Sequence, residues 1–207
     1  PVYNGRFRII DINTVLADIQ QQIKLGAQHI SFGDPDFLNG PSHAINIVSK
    51  LHKEFPMITY DVTIKIEHLV KHKDLIPILK DTGCILITTA AESVDDKILE
   101  LLKKGHTRKD FIKITKIARN GGIALNPTFV PFTPWTTKSG FMDLLDTICN
   151  LDLINNIAPI QLAIRLLIPN RSALLELNEI KKYIEGYDQE SLSYRWHNPD
   201  VSVETLC

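Results

Sequence analysis

The residues with chemistry in them stand where apolar runs end. The run Ile30-Ser31-Phe32 stops at Gly33 and is followed at once by Asp34-Pro35-Asp36, two carboxylates around a proline. Further on, Thr63 and Lys65 close the run TYDVTIK, Glu92 and Ser93 follow CILITTAA, Asn126 and Thr128 lie in IALNPTF, and Arg165 interrupts PIQLAIRLLIP. Carboxylates, hydroxyls and amides in such places can exchange protons with a substrate or hold a charged or hydroxyl-rich ligand. Metal chemistry has less to draw on. His29, His43, His52, His68, His72, His106 and His197 show no HxH or HExxH spacing, and Cys84, Cys149 and Cys207 include no CxxC pair. Neither a zinc site nor a disulfide framework is indicated.

The elements that must carry these residues alternate in period. INTVLADIQQQIKLGA, with Asn13 or Thr14 as N-cap and Gly26 as its stop, reads as a helix, and HISFG reads as a strand. PSHAINIVSKLHKEF is a helix with Pro41 in its first turn, followed by the strand MITYDVTIK. KDLIPILKDTG is a helix and CILITTAA a β-branched strand. VDDKILELLKKG and TRKDFIKITKIARNGG are helices, with Ser93 suited equally to capping the first or to holding a ligand, and Thr107, backed by Asp110, capping the second. IALNPTFVPF is a strand, KSGFMDLLDTICNLDLI a helix, and PIQLAIRLLIP a strand covered on both faces. Strand and helix in turn imply a parallel sheet curled into a full or partial barrel, whose strand carboxyl ends share one face, the usual place for a site. Residues 178–207 read as a peripheral helix and an irregular tail beside a core of residues 1–177.

Size and charge bound the rest. A chain of 207 residues with 44% apolar content can bury one sizeable core. A formal net charge of -1 leaves no electrostatic footprint for nucleic acid or an anionic membrane, and no apolar run reaches spanning length, so a cytoplasmic protein acting on a small molecule or peptide is expected. Arg108 opens a helix, where its charge is poorly matched to the dipole, and a carboxylate or phosphate partner is the expected reason. Phe132 and Trp135 in PFTPWTT suit either a lid over a substrate or a satellite core.

Four segments, ISFGDPDFLNGPSHA, TYDVTIKIEHL, TTAAESVDDKILELLKKGHTRKDF and GIALNPTFVPFTPWTT, together resemble the core of radical S-adenosylmethionine enzymes, most closely a branch with a GDPDFLNGP signature. The resemblance covers residues 1 to about 175. It implies an α/β fold of parallel strands, a partial (β/α)6 TIM-like barrel, with S-adenosylmethionine lying across the strand ends. Gly33, Asp34 and Pro35, with Asp36 beside them, match the motif that receives the amino group of the cofactor's methionine. Thr63 and Lys65 border the same face. Glu92 and Ser93 match the position that bonds the ribose hydroxyls, and Arg108 the residue that takes the methionine carboxylate. Asn126 and Thr128 match the motif beside the adenine, and Leu166 and Leu167 the backbone that reads it.

The family also holds a [4Fe–4S] cluster on CxxxCxxC after its first strand, and no such triplet occurs here. PVYNGRF resembles the segment that follows those cysteines, so the chain reads as a fragment without its first strand, its parent reducing the cofactor to a 5′-deoxyadenosyl radical that takes hydrogen from an unknown substrate. Without thiolates no cluster of this type forms, so the fragment is expected to bind no cofactor and to be inactive. An ordinary barrel enzyme using Asp34, Asp36 or Glu92 as acid and base, or a cluster-free binding or scaffold domain, remain open. If the first strand is missing, His29 to Gly33 presents a bare sheet edge, covered by a second copy of the chain, by Pro1 to Arg8 folded back, or by Ser191 to Cys207, with a homodimer expected.

Overall fold

Alternation decides which face of the sheet meets the helices in the computed structural model, which describes residues 8–206. Four parallel strands stand in the order of the chain: β1 (His29–Ser31), β2 (Thr59–Thr63), β3 (Cys84–Glu92) and β4 (Ala124–Phe129). Ile30, Tyr60, Val62, Ile87, Ala91, Leu125 and Phe129 are buried on one face. They pack with Val48 and Leu51 of α2 (Pro41–Glu54), Leu79 of α4 (Ile76–Asp81), Phe111, Ile114 and Ala118 of α6 (Arg108–Asn120) and Ile148 of α7 (Lys138–Asn150). The intervening residues, from His29 and Ser31 to Asn126 and Thr128, are only half-buried or exposed. The result is a partial α/β barrel, its outer wall closed by helices and its inner wall open.

Local signals account for most boundaries. Helix α1 (Ile12–Lys24) is capped by Asp11, whose carboxylate accepts from the Asn13 amide at 2.9 Å, two or three residues before the expected cap. It stops where Gly26 turns to a φ of 99°, as expected of a glycine there. Short α3 (Ile66–Lys71) leads through a 3-10 turn into α4. Thr107 and Asp110 form the anticipated capping box at the head of α6. Helix α5 (Asp96–Leu101) is capped by Asp95 in place of Ser93; the Ser93 hydroxyl instead accepts from the Asp95 amide at 3.1 Å.

The segment expected as a last barrel strand differs most. Pro159–Ala163 is a 3-10 helix, and parallel pairing survives as a single bridge between Phe132 and Arg165. The reason lies in Gln161. Its side-chain Oε1 accepts from the Phe129 amide at 3.2 Å, supplying the acceptor that a neighbouring strand's carbonyl would otherwise offer.

Residues 178–206 are more ordered than their composition suggested. Helix α8 (Asn178–Lys181) is followed by an antiparallel hairpin, β5 (Ile184–Asp188) with β6 (Ser193–Trp196), and by α9 (Val201–Glu204). Trp196, Ile168 and Ile180 form a second small core, against which Trp135 packs. Phe132 is buried and stacks on Phe141 with centroids 5.2 Å apart. The PFTPWTT aromatics are therefore packing groups and not a lid.

This tail docks beyond β4, on the Phe132 and Arg165 segments. Ser191–Leu206 therefore does not cover β1, which pairs only with β2 among the described residues. Pro1–Phe7 and Cys207, on which the other internal covering and the PVYNGRF match rest, lie outside the described residues. Among those described, no helix is long and apolar enough to cross a membrane.

Candidate functional site at the strand ends

In-register parallel strands bring their carboxyl ends together. Thr63 pairs with Thr88, and Thr88 with Asn126, so three polar side chains form one row across the open face. The Asn126 amide Nδ2 lies 3.5 Å from Thr88 Oγ1. Thr128 stands opposite Ala90 in the next row, and Glu92 beyond it opposite Phe129 after a register shift.

After β1 the chain separates its two acids. Asp36 is buried; its Oδ1 accepts from the Lys65 amide at 3.3 Å, while Oδ2 lies 2.8 Å from His68 Nδ1 and 3.4 Å from Lys65 Nζ. It ties the turn to the start of α3. Asp34 remains exposed, one oxygen accepting from the Asp36 amide at 2.8 Å. Gly33 between strand and turn is unusual in another way. A Cβ built there would meet nothing within 4 Å, and its φ is not among the positive values. Neither packing nor backbone conformation demands a glycine, so what remains is a bare backbone open to close approach.

At the end of β3 the backbone is strained. Glu92 has a φ of 62°, and the Ser93 amide donates to the Ala91 carbonyl at 2.8 Å, a positive-φ γ-turn. For a non-glycine residue this conformation costs on the order of 1–3 kcal/mol and persists only where the surroundings hold it. Two neighbours do so. Lys104 Nζ lies 2.9 Å from Glu92 Oε1, and His106 sets its Nε2 3.3 Å from the Ala91 carbonyl and its Nδ1 3.2 Å from that of Lys104. His106, one of the histidines without metal-ligand spacing, is a buried residue that braces the turn.

Burial holds the His106 imidazole below its ordinary value of 6.5, the carbonyls opposing only in part. The unfolded chain therefore takes up a proton below about 6.5 that the folded ring resists, so this contribution to stability is present above 6.5 and is lost as the pH falls through the lower folded value. His72 is lowered in the same direction. Denaturation midpoints should therefore decline as the pH is lowered from about 6.5 toward 5, and His106→Gln should make that decline shallower.

The remaining positions are engaged or exposed. Arg108 places Nη1 2.5 Å and Nη2 2.9 Å from the two Asp143 oxygens, with Thr147 Oγ1 2.9 Å from Nη2, which ties α6 to α7. The Leu166 amide donates to the Phe132 carbonyl at 2.8 Å, and its carbonyl accepts from Trp196 Nε1 at 2.8 Å. Leu167 is exposed. Arg165 lies under Trp196, with Cζ 3.7 Å from the ring centroid, and bonds both Glu204 oxygens at 3.0 and 3.1 Å.

A cavity of about 280 Å³ lies at the other end of the sheet, where β4 begins, lined by Arg119, Asp152 and Asn156. Arg119 there donates to the Leu151 and Asp152 carbonyls after α7 and is a helix C-cap. The two described thiols are poor cluster ligands: Cys84 is buried in β3, where desolvation pushes its thiol up to about 12, and Cys149 stands exposed on α7. Among the described residues, the two cysteines do not fit an iron–sulfur cluster. The strand ends, in contrast, present carboxylates, hydroxyls and an amide, group types compatible with the polar parts of S-adenosylmethionine.

Comparison with known proteins gives the same direction. The family model described as the radical SAM superfamily matches residues 2–148. A tRNA-2-methylthio-N(6)-dimethylallyladenosine synthase of Fusobacterium nucleatum subsp. nucleatum is 24% identical over 180 residues, 75% of this chain and 38% of that protein. The cobalamin-dependent S-adenosylmethionine radical enzyme OxsB, solved with aqua-cobalamin and S-adenosylmethionine bound, superposes with a TM-score of 0.78 at 16% identity, over 96% of this chain and 36% of that one. The radical S-adenosylmethionine methyltransferase TsrM from Kitasatospora setae, solved with cobalamin and a [4Fe-4S] cluster, gives 0.56 at 16% identity, over 69% and 27%. The chain thus spans 38% of the length of the Fusobacterium protein and 36% of that of OxsB.

Proposed function

This chain belongs to the radical SAM superfamily, and from that premise we propose that its strand ends bind S-adenosylmethionine within a radical enzyme whose cluster thiolates come from outside these 207 residues. The observation that carries the reading is the strained Glu92 turn, held by Lys104 and His106 at the carboxyl end of a parallel strand. Strain of this kind collects where a side chain must be aimed. When bound, the cofactor supplies an alkyl group for radical chemistry.

The chain's own residues bind and orient. Asp34 and the Gly33 carbonyl face the ammonium, while Asp36, with Lys65, positions that turn from below. Glu92 and Ser93 take the ribose hydroxyls. Thr63, Asn126 and Thr128 line the side on which the base lies, and Leu167 leaves its backbone beside it. Arg108 reaches a methionine carboxylate only by leaving Asp143; in its present pairing it fixes α6, which begins directly after the His106 brace.

Gly33→Ala separates binding from folding. The added methyl meets open space in the protein and would meet a ligand lying against the backbone. Contrary to the expectation of a cofactor-free chain, the strand ends alone should hold the cluster-independent part of the ligand. Calorimetric titration with S-adenosylhomocysteine should show binding to the unsubstituted chain and about tenfold weaker binding to the variant, a difference of about 1.4 kcal/mol, with the thermal midpoint unchanged. Equal affinity in the variant and the parent chain would remove Gly33 from the site, and an absence of binding to the parent chain would defeat the reading itself.

A further inference from the structure

We infer that the open inner face of the sheet recognises a cationic substrate, an aliphatic ammonium-bearing molecule anchored at Asp61, an inference that rests on reading the strand ends as the cofactor site. The four strands, HIS, TYDVT, CILITTAAE and ALNPTF, contain no Lys or Arg. Within the strands the half-buried face therefore offers hydroxyls, an amide and carboxylates but no Lys or Arg side chain; the cations at its rim, Lys65 and Lys104, are paired with Asp36 and Glu92.

Asp61 sits in the middle of this face and is prepared for a ligand. Ser31 Oγ donates to its Oδ1 at 2.5 Å, and His29 Nε2 lies 2.9 Å from the same oxygen. His29 is held in turn by Thr59 Oγ1, 2.7 Å from Nδ1. In the tautomer with its proton on Nε2, His29 accepts from the Thr59 hydroxyl and donates to Asp61. The hydrogen bonds to Asp61 all converge on Oδ1, and among the described residues no Lys or Arg pairs with it. A network serving only to plug the barrel would be closed from solvent, but the His29 and Asp61 side chains are 37% and 24% exposed.

Distances refine the class. Thr63 stands two residues beyond Asp61 on β2, about 7 Å toward the cofactor end. Its row carries Thr88 and Asn126. A fitting molecule places an ammonium at Asp61 and a hydroxyl or carbonyl about 7 Å away, against the Asp61 side of the Thr63 row, whose opposite side faces the base.

Three isosteric probes test this by amide-resonance titration of the whole chain: 5-aminopentan-1-ol, pentane-1,5-diol and 5-hydroxypentanoate. The amino alcohol should shift Ser31, Asp61 and Thr63 saturably, with a midpoint at least about tenfold below that of the diol, and the anion should not saturate. Asp61→Asn should reduce the amino alcohol to the level of the diol, while Asp152→Asn, at an exposed acid far from the face, should change nothing. Should Asp61→Asn fail to fold, the comparison of the three probes on the parent chain decides alone. Equal midpoints for amine and diol, or saturation by the anion, would overturn the inference. A parallel titration with S-adenosylhomocysteine separates the two readings. Shifts at Glu92 and Ser93 with none from the amine defeat the substrate class alone; amine binding at Asp61 without them defeats the cofactor site and, with it, the assignment of the amine as substrate.

Discussion

Replacing Glu92 by alanine is expected to weaken S-adenosylhomocysteine binding by about ten- to a hundredfold, the usual effect of losing a hydrogen bond to a charged group, about 1.5–3 kcal/mol. The substitution removes an acceptor that Lys104 already aims at 2.9 Å. Glu92→Gln, which keeps one acceptor oxygen, should lose less. Glu92→Gly is the sharper probe, because it releases the 62° φ at the same time. Its affinity should fall as in the alanine variant while its thermal midpoint stays equal or rises. A Glu92→Gly chain that both binds normally and melts earlier would show that the turn serves stability and not a ligand.

The second large effect is expected at Trp196. The side chain is 5% exposed, its indole nitrogen donates to the Leu166 carbonyl, and its ring lies against the Arg165 guanidinium. Truncation of a buried tryptophan costs about 3–5 kcal/mol through lost contacts and the cavity left behind. Trp196→Ala should release the hairpin and α9, detected as rapid amide exchange across residues 184–204 and loss of protection at Leu166. Exchange unchanged in that stretch would mean that Asn198, Glu204 and the Tyr194–Ile168 backbone bond hold the tail without the indole.

The barrel was legible because its signals are local. Alternation in TYDVT and ITTAAE, the glycine stop at Gly26 and the Thr107–Asp110 box each need only a few neighbouring residues. What was not legible depends on distant pairs. Gln161 replaces a strand acceptor for Phe129, and Asn198 bonds the Thr133 and Thr136 carbonyls more than sixty residues away. The irregular last strand and the ordered tail follow from such pairs. In the site, the positions themselves were visible at strand ends, whereas their present partners were not. Nothing around Arg108 announces Asp143, and nothing in GDPDF tells that Asp36 turns inward while Asp34 stays out. The network at Asp61 was missed for a related reason. His29, Ser31, Thr59 and Asp61 meet only through the β1–β2 register, although their shared parity in HIS and TYD was a usable signal.

The most direct measurement is the location of bound S-adenosylhomocysteine, mapped by amide shifts of the whole chain during titration. Binding at the strand ends predicts saturable shifts at Gly33, Asp34, Glu92, Ser93, Asn126, Thr128 and Leu167, with Arg119 and Asp152 at the far end undisturbed. Saturable shifts confined to the Arg119 cavity, or none at any concentration up to the millimolar range, would contradict it.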